Sequence, residues 1–146
     1  MMKKILLMHG ANLNFLGKRN PEHYGNLTLS DLEKIVTKEA LKFNFDIINY
    51  QSNHEGNLID ALQEHASNCA GIIINPGAFS HYSYALHDAL LDTNLPVVEV
   101  HLSKVTGREI WRRTSVIEPA CIHVIEGKKE NGYKEAIKVI SEYLNK

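Results

Sequence analysis

All four arginines of this 146-residue chain fall in two stretches: Arg19 lies between His9 and Gly25, and Arg108, Arg112 and Arg113 follow His101. The guanidinium fork suits bidentate recognition of carboxylate or phosphate and the stabilising of oxyanions. The clustering therefore points to an anion site, set against the plainer alternative of chance and helix-end pairing. Glu99 and His101 stand two residues apart, a spacing that puts both on one face of a strand. A carboxylate there can orient an imidazole and favour its protonated form; the plainer alternative is a solvent-facing histidine at a strand end. Together these residues describe an anion-binding site equipped for proton transfer.

Positioning such a site falls to the elements around it. Short apolar runs at Ile5–Met8, Phe45–Tyr50, Gly71–Asn75, Val97–His101 and Cys121–Ile125 alternate with helix-period segments. Most of these runs are continuous rather than alternating, which fits strands buried on both faces of a parallel sheet. Helices are expected over Leu29–Phe43, Leu58–Ala66, Tyr82–Leu91 and Tyr133–Leu144. Thr28 with Asp31, and Ser52 with Glu55, could form capping boxes at two of the starts. Five βα units with right-handed crossovers imply an α/β, flavodoxin-like, doubly wound five-stranded parallel sheet in the order 2-1-3-4-5. Ligands bind such sheets beyond the carboxyl ends of the strands, where strand order reverses. The loops after strands 1, 3 and 4 meet there, and they hold the two arginine stretches and the run Asn75–His81. The first loop is long and carries Gly17 and Gly25, as a lid would, or as a disordered connection would.

Bulk properties bound the rest. With 44% hydrophobic and 23% charged residues, the chain reads as one globular domain over 1–146. A net charge of −1, from 16 basic and 17 acidic residues, gives no argument for nucleic acid. No stretch approaches the roughly 18 apolar residues of a membrane span, and the short apolar run after Met1 is too brief for a signal peptide, so a cytoplasmic protein is expected. Cys69 and Cys121 adjoin apolar runs and read as reduced core residues.

Three motifs carry a family resemblance. The run Gly10–Gly17, continued by Arg19, Pro21 and Tyr24-Gly25, is similar to the opening signature of type II 3-dehydroquinate dehydratases. Asn75–His81, with Ala85-Leu86 and Asp88-Ala89, resembles their second motif, and Glu99–Ser103, with Arg108-Glu109 and Arg112-Arg113, resembles their third. The match runs in order, at family spacing, over nearly the whole chain. It implies removal of a proton alpha to a ketone of 3-dehydroquinate, an enolate, and loss of a beta hydroxyl as water to give 3-dehydroshikimate, in the shikimate route to aromatic amino acids. No cofactor and no metal are implied, and the assembly implied is a dodecamer built from trimers.

The resemblance also distributes roles. Tyr24 would be the base, Arg19 the transition-state stabiliser, His101 the general acid oriented by Glu99, and Asn12 a holder of water at the enolate oxygen. Asn75, His81, Asp88, Leu102, Ser103 and Arg112 would bind substrate. Leu102 and Ser103 would act through backbone amides and the Ser103 hydroxyl, and Arg112 through ring hydroxyls. Asp88 would reach a neighbouring subunit's site, or would be an ordinary helix-face acid. A tyrosine, with an unperturbed pKa of about 10, is a poor base unless a cation sits beside it. Arg19 could be that cation, helped by Arg108 or Arg113.

Departures from the family pattern stand at Ala11, Ser80, Lys104, Thr106-Gly107, Trp111 and the Glu126-Gly127-Lys128 turn. None removes a proposed catalytic group. Other readings lack their signatures. A phosphate- or flavin-binding module would show G-x-G-x-x-G or a Walker A pattern. A metal hydrolase through His81, His87, Asp88, Glu99 and His101 lacks compact ligand spacing. A serine hydrolase through Ser80 or Ser83 lacks the G-x-S-x-G elbow. Schiff-base dehydration on a barrel needs about 250 residues.

Overall fold

The computed structural model describes residues 2–146. Among these residues, five parallel strands form one sheet in the order β2-β1-β3-β4-β5, as the element pattern predicts. They are β1 (Lys3–His9), β2 (Phe45–Gln51), β3 (Gly71–Asn75), β4 (Val97–His101) and β5 (His123–Glu126). The central strands β3 and β4 are buried along their whole length, as continuous apolar runs require, whereas β2 lies at the sheet edge and is half-exposed. Register aligns His9 with Asn75 across β1 and β3, so these strands end level with each other.

Among the described residues, five α-helices complete the fold: α1 (Pro21–Tyr24), α2 (Leu29–Leu41), α3 (Glu55–His65), α4 (Tyr84–Asp92) and α5 (Asn131–Leu144). Alternation along the strands divides the core. Ile5, Leu7, Ile73, Val98 and Val100 pack with residues of α2 and α5 on one face. Leu6, Met8, Ile72, Ile74 and Val97 pack with residues of α3 and α4 on the other. The result is a three-layer sandwich that covers both sides of the sheet.

Helix starts show which local signals decided. Thr28 and Asp31 form the predicted capping box at α2. The predicted box at α3 does not form. That helix begins earlier, at Glu55, with His54 at its cap, while Ser52 Oγ accepts from His54 N at 2.9 Å and the Glu55 carboxylate is bound by the Ser83 hydroxyl. Ser83 also caps α4, accepting from Leu86 N, so that helix starts two residues later than its apolar period suggests. Cys69 and Cys121 are free thiols, but half-buried beside β3 and β5 rather than in the core. No helix among the described residues is long and apolar enough to cross a membrane.

Candidate active site

The loops after β1, β3 and β4 meet at the carboxyl edge of the sheet, where strand order reverses between β1 and β3. Two of them press together without room for side chains. Gly10 N donates to the Asn75 carbonyl at 2.7 Å, and a Cβ on Gly10 would lie 2.1 Å from the Pro76 carbonyl oxygen. Gly77, at φ 64°, would set a Cβ 2.6 Å from the Ala11 carbonyl oxygen. These contacts fix Asn12, itself in the left-handed region at φ 71°, beside the end of β3.

A cavity of about 90 Å³ lies above this junction. Of the residues the sequence nominates, Asn12, Arg19, Tyr24, Asn75, His81, His101, Leu102, Ser103 and Arg112 line it. Glu99 stands behind His101, fully buried, and Asp88 is exposed on α4, outside the lining and bonded to His87 at 2.9 Å. The cavity is small for an organic ligand because the first loop folds over it. A short 3-10 turn at Leu13–Phe15 anchors the loop through buried Leu13, and α1, with Pro21 at its first position, brings Tyr24 back over the sheet edge.

Tyr24 sits between two guanidinium groups. Arg108 Nη1 donates to the Tyr24 hydroxyl oxygen at 2.8 Å, and Arg19 Cζ lies 3.6 Å from the ring centroid. Positive charge therefore stands both at the Tyr24 oxygen and over its ring. Burial draws the Arg19 guanidinium below its ordinary value; nearby Tyr24 opposes this, while Arg108 and Arg112 add to it. Arg108 Nε is buried with no hydrogen-bond acceptor among the described residues, the Glu109 carboxylate standing 3.9 Å from it. Arg112 is held by Glu109 at 3.2 Å and lies over the Trp111 ring at 4.1 Å. Three cations thus face one cavity, which is the electrostatics of an anion site. Arg113 lines a different surface groove.

His101 and Glu99 pair as their spacing predicts, Nε2 to carboxylate at 2.5 Å, both buried. That contact leaves Nδ1 as the ring nitrogen available to the cavity. Ser115 Oγ donates to Glu99, 2.8 Å and 3.0 Å from its two oxygens, and so fixes the carboxylate that fixes the imidazole. Asn75 is oriented from both ends: its amide donates to the Tyr133 hydroxyl at 3.2 Å and its carbonyl accepts from Gly77 N at 3.1 Å. His81 Nδ1 donates to the Thr114 carbonyl at 2.8 Å, which fixes the neutral tautomer. Burial lowers the His81 pKa, with the Thr114 carbonyl opposing.

Sequence reasoning placed Arg108 only as an alternative to Arg113 and did not nominate Ser115 or Tyr133. Arg108 had a signal, its place in the arginine cluster. Ser115 and Tyr133 had none, since their partners lie 16 and 58 residues away along the chain.

Residues 3–141 match the family model described as dehydroquinase class II. The 3-dehydroquinate dehydratase of Bacillus licheniformis is 49% identical over 145 residues, 99% of this chain and 100% of that protein. That of Caldicellulosiruptor saccharolyticus is 45% identical over 144 residues, 98% and 99% of the two chains. The crystal structure of a type II dehydroquinase from Butyrivibrio crossotus superposes with a TM-score of 0.92 at 44% identity, covering 95% of this chain and 97% of that one.

Proposed function

The chain belongs to the class II dehydroquinase family and is a 3-dehydroquinate dehydratase of the shikimate pathway, and from that premise we propose how its residues divide the reaction. Tyr24, as phenolate, takes the proton alpha to the ketone. The electron pair moves onto the carbonyl oxygen as an enolate. Asn12 holds a water against that oxygen, and Arg19 stabilises the charge that develops there. The enolate collapses to the conjugated enone while the beta C–O bond breaks, and His101 delivers the proton that lets hydroxide leave as water. Glu99 orients His101. The elimination is redox-neutral overall, so it needs no oxidant or reductant, and the proposed roles assign enolate stabilisation to Arg19 and the Asn12-held water.

The observation that supports the base assignment is the seat of Tyr24, with Arg108 at 2.8 Å from its oxygen and Arg19 at 3.6 Å from its ring centre. For substrate binding, Arg112 bonds ring hydroxyls, Leu102 and Ser103 supply backbone amides with the Ser103 hydroxyl, and Asn75 and His81 complete the set. Asp88, exposed on α4, serves a neighbouring subunit's site in a dodecamer built from trimers. The chain works as one catalytic domain in the cytoplasm, without nucleic-acid or membrane partners.

The division of roles is testable in deuterated solvent. His101→Ala should still exchange the alpha proton of 3-dehydroquinate while dehydration slows by about 10²–10⁴-fold. Nuclear magnetic resonance follows both. Loss of exchange and dehydration together would contradict the assignment of His101 to the later step.

A further inference from the structure

The turn between β5 and α5 touches both loops that supply the site, through residues the mechanism above does not use. Its backbone is tied to the end of β4: Gly127 N donates to the Ser103 carbonyl at 3.1 Å, and Lys129 N to the Leu102 carbonyl at 3.2 Å. Two side chains reach further. The Glu126 carboxylate accepts from the Thr106 hydroxyl, two residues before Arg108. Lys129 Nζ donates to the backbone carbonyl of Glu22 at 2.9 Å, two residues before Tyr24. One turn therefore fastens the arm that carries Tyr24 and the arm that carries Arg108.

Lys129 holds its place against its own backbone preference. Among the described residues, four other than glycine have positive φ, and three of them are asparagines, which tolerate it. Lys129, at φ 53°, is the exception. A lysine there bears a steric cost, from its Cβ against the following carbonyl, that glycine would not. Its ammonium reaches the C-terminal end of the single-turn α1, whose last carbonyls lack partners within the helix and where a cation also meets the negative end of the peptide dipoles.

We propose that Lys129 is a positioning residue for the dehydration: by binding the Glu22 carbonyl it holds α1 down, with the Tyr24 hydroxyl against Arg108. The proposal rests on the assignment of Tyr24 as the base. If Lys129 is lost, the arm spends more time lifted and the competent fraction falls, which raises the apparent dissociation constant by the same factor. Substrate binding can draw the arm back, so the effect belongs mainly in KM.

Lys129→Gly tests this directly, because glycine relieves the backbone while removing the contact. We expect the melting temperature to hold or rise, KM to increase by about threefold, as suits one exposed contact, and kcat to stay within about twofold. Trypsin should cut after Arg19, followed by mass spectrometry, about threefold faster. Lys129→Arg should restore both values, and Lys128→Met, whose lysine pairs with Glu135 instead, should change neither. An unchanged KM in Lys129→Gly would overturn the positioning role, as would a threefold change shared by Lys128→Met. Should the wild-type protein fail to turn over 3-dehydroquinate, the functional reading would fall, while the trypsin comparison would still decide whether Lys129 holds the arm.

Discussion

At the scale of single residues, the site depends on groups that prepare other groups. Tyr24 gains its seat from Arg108 and Arg19, and His101 from Glu99, which in turn is held by Ser115. Ser115 is the least conspicuous member of this chain of contacts. Its hydroxyl also accepts from the amides of Ile117 and Glu118, at 3.3 Å and 3.2 Å, so it closes a turn as well. Removing it leaves the buried Glu99 short of a donor, at a cost of about 1–3 kcal/mol. Ser115→Ala should therefore lower kcat by about tenfold with KM little changed, and Ser115→Thr should recover most of the rate. Steady-state kinetics decide this; a pure loss of stability with wild-type kcat would contradict it. Sequence could show that Glu99 and His101 share a strand face, because that follows from period two. It could not show Ser115, which depends on how the segment after Arg113 returns to β4.

At the scale of elements, what was legible followed from local rules. β3 and β4 run over the residues their apolar runs mark, and the Thr28–Asp31 box starts α2 where its spacing puts it. The failures were competitions between polar groups. Ser52 and Glu55 could have capped each other, but Ser52 turned to His54 and Glu55 to Ser83, across 28 residues of sequence. Lys129 is a failure of another kind, since only the folded chain reveals that a strained position lies within reach of α1. The junction of the β1 and β3 loops makes the sharpest element-level prediction. Because backbone surrounds the missing Cβ of Gly10, no side chain can move aside for it. Gly10→Ala should destabilise the fold by about 3 kcal/mol or more, read from urea unfolding. A loss under about 1 kcal/mol would show that the two loops can separate, and would remove the reason given for the placing of Asn12.

At the scale of the whole molecule, the sheet order locates the site before any side chain is considered. Reversal between β1 and β3 opens the crevice at the carboxyl edge, and the arginine-bearing loops are the ones that reach it. The substrate was legible only through the family motifs, because three guanidiniums around a cavity specify an anion and not which one. Assembly is a matter of the same scale. Tyr84, Leu91, Ile110 and Trp111 are large apolar side chains left more than half exposed by the single chain, and Asp88 stands on α4 among the first two of them. A dodecamer would be seen by light scattering at twelve times the mass of the 16.5 kDa chain, and a stable monomer would contradict it. A tyrosine base that needs no added group is the centre of the proposed reaction. It is tested most directly by following the conjugated enone absorbance as chelator-treated protein acts on 3-dehydroquinate, wild type beside Tyr24→Phe. The expected result is full wild-type turnover and a loss of about 10²–10⁴-fold in Tyr24→Phe with the fold intact; a variant that keeps most of the wild-type rate, or a wild-type protein that needs a metal restored, would contradict it.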